Sequence, residues 1–337
     1  MFTDQEKIIV FSLVVVDYNS INRTLEFINS FIESTSNNKF QIILVDNYIK
    51  DDESITRTVK NIKRWWIESE SLSVNEFFYD NKDSLEMMSF LTGRFPIFQF
   101  RKNNIDLLYA VPLNNLGYAK GNNLGALLDR YFLHSNYLIF SNNDIEFPQH
   151  FKIEEFEEIF KGNKDIAVIG PRVIGLDGKP QSPHKKISAF SQLILYHWVK
   201  GWPFNKKLDY DYTNESKFVY RVMGSFMLVD SDAFFRVGGF DPHTFLFAEE
   251  PILSEKLLKI GKRCYFFNDL TVVHAHGVSV KKNNSVIKAE TMSFESNYYY
   301  FKNYRNTSKG LLVLSKVNFV IYKGFLRIKL AIKKLVH

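Results

Sequence analysis

The chain has 337 residues, 45% hydrophobic and 24% charged, a globular composition with enough length for one large α/β domain and an appendage. A single cysteine, Cys264, excludes an internal disulfide framework and is compatible with a reducing cytoplasm, the location expected. The net charge of +6 comes from the end of the chain. After Glu295 there are nine Lys and Arg and no acid, leaving 34 positive against 37 negative residues before it, so the basicity does not describe a nucleic-acid-binding surface.

The first seven residues are polar and the apolar run 8–16 is short and broken by Ser12, so no cleaved leader is expected. No stretch reaches the roughly 20 apolar residues of a membrane span. The run itself, IIVFSLVVV, predicts a buried first strand. Asp17-Tyr18-Asn19-Ser20 follows, then a helical pattern to Glu33 with Ser20 or Asn22 as its cap. A second strand over 40–45 ends in Asp46-Asn47, and strand, helix, strand with short joints is the unit of a parallel sheet. No glycine precedes Gly93, so the Gly-x-Gly-x-x-Gly of dinucleotide binding is missing; a P-loop is missing too. Residues 51–105 read as a helix continuing toward Ser69 and then an irregular insertion without a motif. A strand over 107–111 leads into PLNNLGYAKGNN, residues 112–123, which open a helix over 122–133. Backbone donors at that helix start suit phosphate or ribose, and the same residues suit an ordinary Asn-rich loop.

Residues 137–147, YLIFSNNDIEF, read as a buried central strand that ends abruptly in polar residues. Open α/β sheets bind their ligands at the carboxyl ends of such strands. Asn142 and Asp144, one residue apart, offer hard oxygen ligands for Mg²⁺ or Mn²⁺ against a diphosphate, and they also suit a polar turn. A helix over 151–160 and a strand over 166–170 continue the alternation, after which Gly170-Pro171-Arg172 is expected to leave the sheet. Residues 182–217, rich in Tyr, Trp, Lys and Pro, read as a loop-and-helix excursion, either bordering an acceptor groove or simply on the surface. Strands over 218–222 and 226–229 flank Gly224-Ser225. Ser231 or Asp232 caps a short helix, and Gly238-Gly239 turns the chain. FLFAEEP, 245–251, then enters a helix over 252–260 that stops at Gly261. Glu249 and Glu250 are where a general base would be sought, since burial and mutual repulsion raise a carboxylate pKa; they also suit a helix dipole. A strand pair, 263–267 and 270–273, leads to His274-Ala275-His276. Alternating histidines share one face of a strand, which fits metal or phosphate binding as well as a structural role.

The order FSLVVVDYNS, ILVDN, LNNLGYAKGNNLG, IFSNNDIEF, GSFMLVDSDAFFRVGGFD, FLFAEEPILSEKLLKIG and VVHAHGVS resembles glycosyltransferase family 2, the inverting sugar-nucleotide-dependent enzymes of the GT-A fold, of bacterial surface-polysaccharide type. The resemblance covers roughly residues 8–280 and rests on order and context. It implies an α/β fold with a single Rossmann-like, mostly parallel sheet and helices on both faces. A GT-A domain over 1–285 would divide into a nucleotide-binding half, about 1–145, and an acceptor-binding half, about 146–285, with a basic helical tail over 286–337. By position it implies Asp46 at the pyrimidine base, Asp144 and Asn142 with His274 or His276 at a Mn²⁺ or Mg²⁺ ion, and Glu250 as catalytic base with Glu249 beside it. Asp17, Asn19, Asn115, Gly117, Asn122, Asn143, Gly224 and Ser225 would border the sugar nucleotide. Two positions depart from the family pattern: the first metal position is Asn142, and Ile252 stands where an Asp often follows the Glu pair. The implied activity is metal-dependent hexosyl or rhamnosyl transfer from a UDP- or dTDP-sugar to a glycan or polyprenyl-linked acceptor. A degenerate sugar-nucleotide-binding protein is the alternative. A nucleotidyltransferase is another, though Asp17–Arg23 supplies no Gly- and basic-rich triphosphate loop.

From Ser296 the sequence reads as helix, with Lys302, Lys309, Lys316 and Lys323 seven residues apart, forming a basic stripe beside Leu, Val, Ile and Phe. Residues 296–337 are therefore expected either to contact an anionic inner-membrane surface or to pack on the catalytic domain.

Overall fold

The computed structural model describes residues 11–35, 40–48, 51–66, 75–80, 94–102, 104–199, 210–211, 213–275 and 283–336. One eleven-stranded sheet organises them. Strands β1 (Phe11–Asp17), β2 (Phe40–Asp46), β5 (Ile105–Ala110) and β6 (Tyr137–Ser141) run parallel in the order β5-β2-β1-β6. Beyond β6 the antiparallel β10 (Phe226–Asp230) leads to β8 (Ile166–Gly175), which runs parallel to β11 (Arg263–His274). Short β7 (Ile145–Glu146) and β9 (Lys217–Val219) pair antiparallel with β11.

Alternation along the strands builds two cores, one on each face. Phe11, Leu13 and Val15 of β1 join Phe40, Ile42 and Leu44 of β2 on the first face, under helices α1 (Ile21–Ser34), α2 (Asp52–Trp66) and α4 (Ile153–Gly162). Val14, Ile43, Val45, Leu138 and Phe140 point to the other face, under α3 (Gly117–Phe132) and two helices that follow β10. The expected architecture, a largely parallel sheet with helices on both faces, is therefore present.

Several boundaries differ from expectation. The segment 51–105 holds an antiparallel pair, β3 (Asn75–Asp80) and β4 (Arg94–Lys102), that extends the sheet past β5. Strand β8 continues through Pro171 to Gly175, because a register shift in β11 between Phe267 and Thr271 lets pairing resume at Arg172. The two strands expected over 263–273 are accordingly one. Helix α3 begins at Gly117, five residues early, and its Gly121 and Gly125 lie against Val16 and Val14 of β1, where a larger residue would collide. After the short α5 (Tyr196–Val199), the cap of α6 (Ser231–Arg236) is Asp230, whose carboxylate accepts from the Ala233 amide at 2.7 Å. At α1, Ser20 holds the cap position but makes no cap bond; its amide and hydroxyl donate to Asp17.

The tail forms two helices, α8 (Asn283–Tyr304) and α9 (Lys309–Val336), so Lys302 sits on a different helix from Lys309, Lys316 and Lys323, and Gly324 does not interrupt α9. Phe294, Tyr300 and Phe301 of α8 and Leu312, Phe319 and Tyr322 of α9 share a third core with Leu193, Ala248 and Ile252. No helix among the described residues is long and apolar enough to cross a membrane.

Candidate functional site

The carboxyl ends of β6 and β11, the amino end of β10, the start of α7 (Glu249–Leu258) and one side of α8 surround a cavity of about 560 Å³. Asn142, Asp144 and His274 line one part of it and Glu249 and Glu250 another, with Gly224 and Ser225 between. His274 ends β11, and its Nδ1 lies 2.9 Å from Oε1 of Gln181, an acceptor, so Nδ1 carries the donated proton. Nε2 is 3.2 Å from Oδ1 of Asp144 and 3.5 Å from the Asn142 side-chain nitrogen. In the neutral ring Nε2 then turns a lone pair toward a carboxylate, an arrangement that a cation between them relieves. One carboxylate and one imidazole suit a divalent first-row ion whose other positions go to phosphate oxygens and water. His276 lies outside the described residues, among which no group of three His, Cys, Asp or Glu could hold a metal.

The two glutamates are not equivalent. Glu249 is 3% exposed and its Oε1 has no hydrogen-bond partner among the described residues. Burial, then the charge of Glu250, pushes its carboxyl well above the usual range. Glu250 is partly exposed to the cavity, and its Oε1 accepts from the Gly224 amide at 3.0 Å. Tyr118 supports the same turn, donating to the Gly224 carbonyl at 2.6 Å; burial and the two glutamates raise its hydroxyl well above its ordinary value. A Cβ on Gly224 would stand 2.6 Å from Oε1 of Glu250, so a larger residue there would displace that carboxylate. Phe247 and Ala248, just before α7, both have left-handed backbone, φ +76° and +68°, a conformation costly for residues with a Cβ and concentrated at functional sites. The buried Ser225 hydroxyl faces the cavity with no hydrogen-bond partner among the described residues.

The remaining expected residues lie at the ends of β1 and β2 and at the α3 entrance, where most of their polar groups hold loops together. Asp17 accepts from Ser20, from Thr24 at 2.5 Å and from Asn143 at 3.3 Å, and Asn143 also donates to Ser20 and Thr24. Asp46 is fully buried, accepting from the Tyr109 hydroxyl at 2.7 Å and the Tyr48 amide at 3.3 Å. Above these two aspartates the exposed rings of Tyr18 and Tyr48 meet edge to face, 5.6 Å apart. Asn19, with φ +55°, borders a small hollow of about 210 Å³ with Asp17 and Arg23. At the α3 entrance three backbone donors are engaged within the protein, as in the ordinary Asn-rich loop. Leu116 donates to Asn47, Gly117 to Asn115 and Tyr118 to the Phe245 carbonyl. Asn122 donates to the Tyr118 carbonyl.

Sequence reasoning missed Gln181, Tyr118 and the wall formed by Ser293, Asn297 and Tyr300 of α8. Only the tyrosine lay within a motif, LNNLGYAKGNN; Gln181 and Tyr300 act through contacts 93 and 80 residues distant in sequence.

No family model and no curated relative matches the chain. Among solved structures, its fold is similar to that of GalNAc-T7, solved with UDP, GalNAc and Mn²⁺, at a TM-score of 0.52 and 15% identity over 88% of this chain and 50% of that one. TarS of S. aureus superposes at a TM-score of 0.46 and 12% identity, over 92% of this chain and 43% of that one. The chain thus spans about half the length of the solved structure on which its fold comparison rests, and the likeness to GalNAc-T7 is one of fold, the GT-A type.

Proposed function

We propose that the protein is an inverting, metal-dependent glycosyltransferase that moves a sugar from a UDP- or dTDP-sugar to a hydroxyl of a glycan or polyprenyl-linked glycan, in surface-polysaccharide synthesis. The observation that carries the reading is the joint presence, in one cavity, of the Asp144–His274 pair and the hydrogen-bonded carboxylate of Glu250. The GT-A-type fold and the Mn²⁺ and UDP of the GalNAc-T7 structure support it.

In this reading Asp144 and His274, with Asn142 beside them, would hold Mn²⁺ or Mg²⁺, and Gln181 fixes the orientation of the imidazole. When bound, the ion supplies positive charge to the departing diphosphate. Glu250 takes the proton of the acceptor hydroxyl as its oxygen bonds to the anomeric carbon, while the bond from that carbon to the diphosphate oxygen breaks on the opposite face. One displacement inverts the centre. The Gly224 amide aims Glu250, and burial makes Glu249 the harder of the two to ionise. We assign the pyrimidine to the Tyr18–Tyr48 rings, with Asp46 behind them fixing Tyr48 and Tyr109.

Asn142 and Ile252 favour the alternative of a sugar-nucleotide-binding protein without turnover. Ile252, however, is buried in the core shared with α8 and α9, so an apolar residue there serves the docking of the tail. The deciding experiment is incubation with a panel of labelled sugar nucleotides and Mn²⁺ or Mg²⁺. Slow hydrolysis of one donor, abolished by EDTA and by Asp144→Ala, is expected. Donor binding with no hydrolysis or transfer would favour the alternative, and full turnover in excess EDTA would remove the metal from the mechanism.

A further inference from the structure

Helix α9 has two apolar faces, and the domain covers only one. Leu312, Ser315, Phe319 and Tyr322 are buried, with the Phe319 ring stacked on Phe294 of α8 at 4.1 Å between centroids. On the other side Val313, Val317, Val320, Ile321, Phe325 and Ile328 are each more than half exposed. At about 100° per residue these six occupy an arc of about 140°, opposite the buried face, on a helix about 42 Å long. A soluble surface helix has one apolar stripe; a second, continuous one marks a surface awaiting a partner.

The rims of this face show which partner. Along one edge stand exposed Lys309, Lys316 and Arg327, and the sequence holds no acid after Glu295 to offset them. Along the other stands Trp198, 40% exposed, whose indole N–H donates to Asn318 at 2.9 Å and whose ring lies 5.9 Å from that of Phe325. An apolar face bordered by cations on one side and by an indole on the other matches the layering of a lipid interface: acyl chains below, polar headgroups at the level of the indole, anionic phosphates beside the Lys and Arg. We propose that α9 lies in the headgroup layer of an anionic bilayer with this face inward. Because α8 supplies Ser293, Asn297 and Tyr300 to the cavity wall and packs on α9, the cavity is then held about one helix diameter, ~10 Å, from the lipid surface. This inference rests on the helix alone and stands whether or not the proposed chemistry is right.

The test uses the full chain in co-sedimentation with vesicles of phosphatidylglycerol mixed into phosphatidylcholine, against phosphatidylcholine alone, at low salt. Most of the protein should pellet with the anionic vesicles. The surface variant Val317→Ser/Val320→Ser/Ile321→Ser/Phe325→Ser should bind them at least tenfold more weakly, with an unchanged thermal transition. Lys309→Gln/Lys316→Gln/Arg327→Gln should lose the preference for anionic lipid. Failure of the wild-type chain to pellet, or equal binding by the serine variant, overturns the proposal. A wild-type dimer in sedimentation that the serine variant converts to monomer also overturns it and assigns the face to a second copy.

Discussion

At the residue scale, the two adjacent glutamates show how burial divides identical chemistry. Glu250→Gln is expected to leave nucleotide affinity within about twofold while lowering turnover a hundredfold or more, the size of general-base loss. Glu249→Gln changes a carboxyl whose ionisation burial already opposes and should cost little, and steady-state kinetics of the two variants decides between them. Asp129 illustrates the same principle away from the site. Burial raises its carboxyl from 3.8 to about 6, against the hydrogen bonds from Ser12 and Ser135 that lower it. Between those values the folded chain keeps a proton that the unfolded chain has lost, so stability falls as pH rises from about 4 to 6 and is level above. Asp129→Asn should remove that fall in denaturant titrations across the window. Asn142, Asp144 and Glu250, which line one cavity, stood out in the sequence because each lies within a motif. Their partners did not: Gln181 reaches His274 across 93 residues, and nothing local in PQSP announces it.

At the level of elements, the buried parallel strands could be read from their unbroken apolar runs, and both longer misreadings involve a proline inside a strand. Pro96 interrupts β4 and Pro171 interrupts β8, and proline argues against a ladder because it donates nothing. At Pro171 the exception has a reason: the ladder with β10 ends at Ile169, so no neighbour on that side needs the missing donor. Helix α3 was read short for a related reason, since Gly121 and Gly125 weaken a helix by propensity yet let it approach β1. Gly125→Ala would drive a methyl into Val14 and should cost about 1–3 kcal/mol, as overpacking does. Adding Val14→Ala should return part of that loss, which chemical denaturation of the single and double variants will measure.

Over the whole molecule, the tail is packed into the α/β domain. Tyr299 and Tyr304 of α8 donate to Asp241, Ser296 to the Leu246 carbonyl at 2.8 Å, and Tyr300 meets Tyr220 at 2.5 Å. Arg305 joins Tyr300 at 2.7 Å and Glu255 at 3.5 Å. These bonds straddle the turn that presents Glu249 and Glu250. A chain ending at residue 282 should therefore melt at least 10 °C lower, or not fold, whereas one ending at 308 keeps α8 and should retain donor hydrolysis. Thermal melts and activity of the two truncations test this. The sequence showed that the tail was helical and basic; it could not show the break between α8 and α9, because a period of seven continues smoothly through Arg305–Ser308.

The position of α8 also sets an order on the life of each molecule. Translation delivers the chain from its first residue, and domains take shape as they emerge. Here the strands that carry Asp144 and the turn that carries Glu250 are made long before the helix that walls their cavity, which is complete only at Tyr304. A chain stalled or cut short of that residue has its reactive groups without their enclosure. A truncated product therefore lacks one wall of the cavity, and the proposed chemistry has no complete site until α8 has been made.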